Sequence, residues 1–308
     1  MKGLVIKTTG KDYTVKTVNG EIIKSFLKGN FRIKGIKSTN PIVVGDMVDL
    51  SKDSGEWVIN NLYERKNSIT RKSVNLSKQT HIIAANIDQA ILMVTLESPV
   101  TTTGFIDRFL VAGEAYGVEV IILFNKIDIL EKELRKRALN LKKMYSEIGY
   151  RCFSGSIIKD DLSNLKKIMK NKVNMISGHS GVGKSTLINL LQPGLSIKIS
   201  EISQIHKQGQ HTTTFSQLYD LDFGGSVIDT PGIRGFGLVE LDVKEIGNYF
   251  PEFFAEKEKC KFFNCLHKDE PNCAVKTAVK EKRIDSGRYK NYLKMLVEDD
   301  TSFRRKSH

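Results

Sequence analysis

The amino-acid sequence predicts a doubly wound α/β domain that lies between an N-terminal β-barrel and a C-terminal helical module. Up to residue 64, short runs of Val, Ile and Phe are broken by Gly or Asn every eight to twelve residues, as in a small all-β unit. From residue 81, apolar strand-like runs alternate with amphipathic segments, as in a parallel sheet covered by helices. Beyond residue 242, a Cys/His cluster accompanies two segments with helical periodicity.

The composition limits the class of protein. The 308 residues include 40% apolar and 27% charged residues, which is ordinary for a globular protein with a sizeable core. The N-terminal apolar run is too short for a secretory signal, and the longest apolar runs, 90–96 and 118–124, are far shorter than a membrane span. We therefore expect a cytoplasmic protein with no membrane partner. The formal net charge of +13 favours a polyanionic partner, commonly nucleic acid.

The N-terminal unit, residues 1–64, interleaves basic and aromatic side chains. Two interpretations stay open, namely a stacking platform for single-stranded nucleic acid, or core aromatic residues beneath a solvated basic face. Residues 65–80 hold five basic residues and no acidic one and show no clear period, so we expect a linker that touches phosphate. The basic and aromatic residues that interleave in the N-terminal unit are Lys24, Phe26, Lys28, Phe31, Arg32, Lys34 and Lys37.

Residues 81–241 are predicted to alternate between strands and helices. We expect strands at 89–96, 118–124, 150–153, 175–176, 218–221 and 226–228, and helices at 104–116, 131–148, 161–171 and 186–191. Such a doubly wound domain binds its ligands at the carboxyl ends of the strands. In the C-terminal module, 242–308, we expect helices at 273–284 and 288–298.

A phosphate-binding loop is predicted after the strand at 175–176. Residues 178–185, GHSGVGKS, fill the pattern G-x-x-x-x-G-K-[ST], and a helix follows at once. The glycines let backbone N–H groups curl around anionic oxygens, Lys184 reaches the β- and γ-phosphates, and the Ser185 hydroxyl ligates Mg²⁺. A Gly-rich turn without a ligand is the alternative. The predicted nucleotide-binding residues are Gly178, His179, Ser180, Gly181, Val182, Gly183, Lys184, Ser185 and Thr186.

Two further motifs follow predicted strands. The DTPG motif places Asp229 where a carboxylate can hold Mg²⁺ through water, and Gly232 where an N–H can meet a γ-phosphate. The NKID motif, Asn125-Lys126-Ile127-Asp128, follows the strand at 118–124. The Asp128 carboxylate can accept two hydrogen bonds from guanine, whereas adenine has no such pair of donors. NKID alone is a weak signal, because Asn and Asp are ordinary turn residues, but the three motifs together predict GTP.

The order of these motifs is unusual. In common GTPases the phosphate loop comes first, whereas here NKID precedes it, as does Ser154-Gly155-Ser156, which fits the loop that closes over the guanine. With the barrel and the Cys/His cluster, this circular permutation resembles the bacterial RsgA or YjeQ family of GTPases over essentially the whole chain. The stretches IAANIDQ (83–89) and DTPGIRGF (229–236) belong to the resemblance, and SGS departs mildly from the common SA form.

The resemblance implies both an architecture and an activity. The expected architecture is a circularly permuted P-loop GTPase core with an OB-like β-barrel and a zinc-binding helical module. The expected ligands are GTP and GDP with Mg²⁺, and the expected reaction is hydrolysis of GTP to GDP and phosphate. The family assists late maturation of the small (30S) ribosomal subunit, so the implied partners are that subunit and its rRNA, with turnover stimulated by the subunit. We also expect a monomer.

A polar segment, GQHTTT at 209–214, lies between the phosphate loop and DTPG. One of its threonines is expected to supply the switch hydroxyl that senses Mg²⁺ and the γ-phosphate, and we choose Thr213. After DTPG, Ile233 stands where many GTPases place a water-orienting glutamine, and an aliphatic side chain cannot orient water. His211 is therefore a candidate for that task, an exposed spectator being the alternative.

A zinc site is predicted in the C-terminal module. Cys260, Cys265, His267 and Cys273 offer three thiolates and one imidazole within fourteen residues, the ligand set of a closed tetrahedral site for one Zn²⁺. The spacing matches no common zinc finger, but the family resemblance has the same ligand types in this place. Free cysteines that happen to cluster are the alternative. The fourth cysteine, Cys152, is expected in the core.

Three functions compete at this point. An RNA-directed GTPase, in which the barrel and the zinc module grip ribosomal RNA under nucleotide control, accounts for all of the motifs. An ATP-driven nucleic-acid enzyme is opposed by NKID. A non-catalytic RNA-binding scaffold that uses GTP only as a structural ligand takes its support from Ile233.

Overall fold

A computed structural model describes residues 1–9, 12–27, 41–72, 80–195, 216–229 and 241–304. They form, in chain order, a β-barrel, a doubly wound α/β domain and a helical module. Strands of the barrel and of the central domain are hydrogen-bonded into one eleven-stranded sheet. No helix within these ranges is both long and apolar enough to cross a membrane.

The N-terminal unit is a five-stranded barrel, which confirms the prediction. Its strands are β1 Lys2–Thr8, β2 Asp12–Thr17, β3 Ile22–Leu27, β4 Met47–Asp53 and β5 Glu56–Leu62. They stand in the order β1-β2-β3-β5-β4, and β4 pairs back onto β1, which closes the barrel. Side chains alternate along the strands, so that Val5, Val15 and Ile59 fill the interior.

The segment predicted as a linker is partly a strand. Ser68–Lys72 form β6, which pairs antiparallel with β7, Thr80–Ala85. Just before it, Arg65 makes a bidentate ion pair with the fully buried Asp46 of the barrel, with both N–O distances 2.7 Å. The periodicity of the sequence misses β6 because a strand of five residues is too short to show a period.

The central domain is doubly wound, as predicted. Its strands are β8 Gln89–Val94, β9 Glu119–Phe124, β10 Arg151–Ser154, β11 Val173–Ser177, β12 Gln217–Asp220 and β13 Ser226–Asp229. Its helices are α1 Thr103–Tyr116, α2 Lys132–Ile148, α3 Ser163–Met169 and α4 Lys184–Leu191. The order is β10-β9-β8-β11-β13-β12, in which only β12 runs antiparallel.

Helices cover both faces of this sheet. Along β8, Leu92 and Val94 belong to the core shared with α1 and α2, while Ile91 and Met93 belong to the core shared with α3 and α4. Every residue of β8 is buried, as a central parallel strand requires. Since β9 and β11 flank β8 on opposite sides, the chain reverses direction here, and the ligand crevice of such a sheet lies at the carboxyl ends of these strands.

The barrel joins the central sheet edge to edge. Lys7 of β1 pairs antiparallel with Gln217 of β12. At the same seam, Lys16 of β2 forms an ion pair of 2.7 Å with Asp220, the last residue of β12. Both contacts therefore tie the barrel to a single strand of the central domain.

The C-terminal module packs on α1. It consists of a 3-10 helix, Val243–Tyr249, and helices α5 Pro251–Lys257, α6 Ala274–Lys280 and α7 Ser286–Arg304. Phe250, Phe253 and Tyr292 form its aromatic centre, and Val111 of α1 belongs to the same cluster. The two predicted helices correspond to α6 and α7, while the 3-10 helix and α5 had no counterpart in the prediction.

Candidate functional site

Three predicted loops and one strand end meet at the carboxyl edge of the central sheet. GHSGVGKS follows β11 and continues into the start of α4, NKID follows β9, and the Ser154-Gly155-Ser156 loop begins at the end of β10. Asp229 ends β13 at the same edge, opposite Gln217 of β12. The other predicted switch residues, His211, Thr213, Gly232 and Ile233, lie outside the described residues.

The lysine of the phosphate loop folds back over the loop. Lys184 Nζ donates to Gly178 O at 2.8 Å and to His179 O at 2.7 Å. Gly178 has a φ of 141°, and a Cβ there would lie 2.5 Å from Met93 O, so this position requires glycine. The first N–H groups of α4 lack partners within the helix, and together with the ammonium they offer an anion-binding site.

The other residues of the loop divide into exposed and buried groups. Ser180 and Gly181 are exposed, Val182 is fully buried, and Lys184, Ser185 and Thr186 are the partly buried first residues of α4. A glycine at 183 caps that helix with a left-handed backbone.

His179 of the phosphate loop packs against α1. Its ring lies 4.2 Å from that of Phe105, measured between centroids. Burial, and then the charge of Lys184, lowers the pKa of His179 below its usual 6.5. The imidazole is therefore mainly neutral at pH 7, and it links the phosphate loop to α1 through an apolar contact.

Asn125 of NKID connects two of the loops. Its side chain is buried, and its Nδ2 donates to Val182 O at 2.8 Å in the phosphate loop. Its Oδ1 accepts from Ile157 N at 3.1 Å, just beyond the Ser154-Gly155-Ser156 loop. A buried amide with both ends satisfied fixes the spacing of the elements that it joins. The sequence motif predicts a nucleotide-binding residue here, and the geometry adds this bracing role.

The remaining NKID side chains point to separate partners. Asp128 Oδ2 lies 2.9 Å from Lys159 Nζ. The hydrogen bond from Lys159 outweighs partial burial and lowers the pKa of the Asp128 carboxyl, so this group is a carboxylate at neutral pH. Lys126 has a left-handed backbone, and its Nζ donates to Ser98 O at 2.7 Å. Ile127 N donates to Gly155 O at 3.1 Å, which holds NKID against the third loop.

The third loop is shaped by an aspartate that the sequence analysis did not single out. Asp160 Oδ2 accepts from Ser156 N at 2.7 Å. A Cβ built on Gly155 would collide with this same carboxylate oxygen. An alanine here, as in the common SA form, would therefore require the Asp160 carboxylate to move. Ser154 points away from the loop, since its Oγ accepts from Lys142 Nζ of α2 at 3.2 Å.

The four predicted zinc ligands are brought together. Their ligand atoms all lie within 4.8 Å of one another. His267 Nδ1 is 3.6 Å from Cys260 Sγ and 3.4 Å from Cys273 Sγ, and these two sulfurs are 4.0 Å apart. A tetrahedral zinc with Zn–S bonds of about 2.3 Å requires S–S separations of about 3.8 Å. The cluster therefore fits one zinc ion.

The surroundings of the cluster also suit a cation. Burial raises the pKa of the Cys265 thiol to about 12, and a divalent cation reverses this effect by stabilising the thiolate. Lys276 N, at the start of α6, donates to Cys273 Sγ at 3.5 Å. Tyr289 and Tyr292 of α7 donate their hydroxyls to His267 O and Leu266 O, at 2.7 and 2.6 Å. The ligand-bearing loop is thereby fastened to the last helix.

These features define a class of protein. A phosphate loop, an NKID loop and a third loop at one sheet edge, in permuted chain order, are the features of a circularly permuted GTPase. The chain belongs to the RsgA GTPase family, whose model matches residues 62–239, and the model described as the RsgA N-terminal domain matches residues 2–57. It is accordingly an enzyme that binds guanine nucleotide and hydrolyses GTP.

Relatives are similar over the whole chain. A protein of Flavobacterium psychrophilum named small ribosomal subunit biogenesis GTPase RsgA is 54% identical, with 99% of this chain and 95% of the relative covered. Its namesake from Bacteroides fragilis is 50% identical, with 97% of each chain covered. The crystal structure of YjeQ from Thermotoga maritima is 35% identical, with a TM-score of 0.79 over 96% of this chain and 97% of that one.

Proposed function

We propose that this GTPase binds the small ribosomal subunit and assists its late maturation, with turnover stimulated by the subunit. The names of the curated relatives support this proposal, because the similarity extends through the barrel and the C-terminal module as well as the central domain. The net charge of +13 suits a partner rich in phosphate. We further propose that the chain acts as a monomer in the cytoplasm.

The observation that carries the RNA contact is a set of lysine–aromatic pairs on the barrel. Lys2 Nζ lies 4.2 Å from the ring centroid of Tyr63, Lys24 lies 5.5 Å from Phe26, and Lys52 lies 5.3 Å from Trp57. Phe26 and Trp57 are partly exposed, although Trp57 also packs against the barrel core, so each ring keeps a part that a base can contact. Rings with cations beside them suit bases and phosphates together. Lys28, Phe31, Arg32, Lys34 and Lys37 lie outside the described residues.

We propose the following roles at the nucleotide site. Asp128 selects guanine, the loop at 178–186 holds the phosphates through backbone N–H groups and Lys184, and Gly232 N–H meets the γ-phosphate. Ser185 and Thr213 would ligate Mg²⁺, and Asp229 would hold it through water. When bound, this ion neutralises charge on the phosphate oxygens. His211 would orient the attacking water, since Ile233 cannot.

The domain boundaries are likewise a proposal. We assign residues 1–64 to the OB-like barrel, 65–80 to a basic connecting segment, 81–241 to the GTPase domain and 242–308 to the zinc module. The ion pair between Arg65 and Asp46 supports a boundary close to residue 64, because it fixes the exit of the chain from the barrel.

The test is a phosphate-release assay on the full-length chain with and without purified small and large subunits. We expect small subunits, and not large subunits, to stimulate phosphate release. His211→Ala should lose that stimulation but keep its GTP affinity and its binding to small subunits. Ser185→Ala should bind nucleotide but lose Mg²⁺-dependent turnover. Equal stimulation by large subunits would contradict the proposed partner. Full stimulation of His211→Ala would assign the water-orienting role to another group.

A further inference from the structure

The zinc module exposes two adjacent aromatic rings. Phe263 is 95% exposed and Phe262 is 39% exposed. Both lie in the four-residue loop between Cys260 and Cys265, so both ends of that loop belong to the cluster that fits a zinc ion. Scattered exposed apolar residues are common, but two neighbouring rings on a loop fixed at both ends form an apolar surface outside the module's own core.

Each ring has a lysine beside it. Lys261 Nζ lies 5.6 Å from the ring centroid of Phe262, and Lys257 Nζ lies 5.9 Å from that of Phe263. Among the described residues neither ammonium has a carboxylate within ion-pair distance, and Lys257 donates instead to the neutral Asn248 Oδ1 at 2.8 Å. Lys259, between them in sequence, is paired with Glu256 at 3.1 Å. The surface therefore combines two aromatic rings with two cations that have no ion-pair partner in the described part of the chain.

We infer that Phe262 and Phe263 form a stacking site for one or two unpaired bases of single-stranded RNA, with Lys257 and Lys261 contacting the flanking phosphates. This site is the Phe262–Phe263 patch. It rests on the proposed rRNA-directed function and adds a recognition chemistry to it. A phosphate backbone alone would need only the lysines, and bases inside a duplex have no face free to meet a ring. A base in a loop or at a strand end meets both requirements.

The zinc centre contributes to this recognition. With zinc bound by Cys260 and Cys265, both ends of the loop between them would be fixed before RNA arrives. Ordering in advance lowers the entropic cost of binding. The patch is thus a rigid platform, unlike a flexible basic tail, and its contribution to binding depends on ring area more than on charge.

A tryptophan reporter tests the patch directly. The chain has one tryptophan, Trp57, so a Trp57→Phe/Phe263→Trp variant carries its single indole at the patch. We expect a single-stranded RNA 12-mer of mixed sequence to quench this indole, and a duplex of the same strand to leave it unchanged. Zinc content equal to that of the parent confirms that the module is folded. No quenching, or equal quenching by the duplex, would overturn the inference.

Binding to small subunits provides the second test. Phe263→Ala should weaken binding about 5- to 150-fold without changing its dependence on salt, because stacking is lost and no phosphate contact is removed. Phe263→Trp should restore affinity. Lys261→Gln should instead reduce the slope of log affinity against log salt concentration by about one. The matched control is Leu139→Ala, which truncates a 48% exposed leucine of α2, outside the zinc module, and should bind like the parent.

The outcomes separate this inference from the proposed function. If the parent fails to bind small subunits, the proposed function fails, and the RNA 12-mer still decides the patch. If the parent binds and Phe263→Ala binds equally well, the patch is wrong and the proposed function stands. A loss seen with intact subunits but absent with deproteinised rRNA would assign the rings to a ribosomal protein and overturn the RNA assignment.

Discussion

Arg288 of α7 donates a hydrogen bond of 2.7 Å to Asp107 of α1, and both side chains are buried. The same guanidinium forms a bidentate pair with Glu252 of α5, at 2.6 and 3.0 Å. Tyr145 and Asn291 each donate a further hydrogen bond to the Asp107 carboxylate. Burial opposes the charge of Arg288, but Asp107 and Glu252 more than offset it and raise its pKa. This network fastens the zinc module to the GTPase domain.

Removing the Arg288 guanidinium should weaken the attachment of the zinc module to the GTPase domain. Arg288→Met leaves Asp107 buried without its counter-charge, and breaking a buried pair in this way costs about 3–5 kcal/mol. Hydrogen exchange of the α7 amides in the native state measures the local loss. The matched control is Arg283→Met, because the Arg283 side chain is itself 48% exposed and pairs with the partly buried Glu256 and the exposed Glu281, so its loss should cost less than about 1 kcal/mol. Equal costs for the two variants would contradict this account of Arg288.

Gly155→Ala should weaken guanine nucleotide binding. The added methyl group displaces the Asp160 carboxylate, which breaks the hydrogen bond from Ser156 N and distorts the third loop. The energy of a charged hydrogen bond limits the loss of GDP affinity to roughly 10- to 150-fold, which titration with fluorescent GDP measures.

A double variant isolates the cause of that effect. Gly155→Ala/Asp160→Ala removes the collision together with the carboxylate, so its GDP affinity should equal that of Asp160→Ala alone. Gly104→Ala on α1 is the matched control, because a Cβ there makes only an ordinary contact of 3.5 Å with Asn291. Parent-like affinity in Gly155→Ala would mean that the loop relaxes without cost.

Asp128→Asn should exchange guanine for xanthine specificity. GTP binding should weaken by about 1.5–3 kcal/mol, and xanthine nucleotide should gain, because its C2 carbonyl suits an amide donor. Competition titrations with both nucleotides measure the exchange, and unchanged GTP affinity would refute the role of Asp128.

The same carboxylate predicts how GTP affinity depends on pH. Lys159 lowers the pKa of Asp128 below its usual 3.8, so the charged form persists above that value and is lost only as the pH falls through the lowered pKa. The Asp128 contribution should therefore be constant between pH 5 and 8. A decline of GTP affinity with an apparent pKa in that range, abolished in Asp128→Asn, would contradict the ion pair with Lys159.

The C-terminal module should hold one zinc per chain. Metal analysis of protein purified without chelator should give one equivalent, and Cys265→Ser should lose zinc and thermal stability, because metal binding contributes to the folding of small modules. Cys152→Ser is the matched control, since that thiol lies on β10 and its loss should leave the zinc in place. Stoichiometric zinc in Cys265→Ser would remove this residue from the ligand set.

Local patterns predicted most of the central domain. The phosphate loop and the strands before NKID and DTPG could be found because glycine spacing, buried apolar runs and turn residues are properties of neighbouring positions. Helix ends are not marked as clearly by local patterns, and the segment predicted at 161–171 is helical only over Ser163–Met169. The four residues of the Cys/His cluster could also be predicted, since they lie close together in the chain.

The long-range contacts that join the modules and shape the third loop could not be predicted from the sequence, for a physical reason. Asp107 and Arg288 are separated by 181 residues, and no local pattern marks a buried aspartate as the partner of a distant arginine. Asp160 looks like any polar residue in a loop until the backbone brings it to Ser156 N. Such pairings are set by tertiary packing, which a single sequence does not encode as a periodic signal.

The strand pairing between Lys7 and Gln217 has a consequence for solubility. β12 is the last strand of the central sheet, and without β1 its outer N–H and C=O groups would form an open edge. Open edges invite strands from other molecules, and proteins protect them by covering or charging them. Here the barrel covers the edge, and the pair Lys16–Asp220 adds charge beside it. By covering β12, the N-terminal barrel thus protects the central sheet against edge-to-edge association, and this effect does not depend on what the barrel binds.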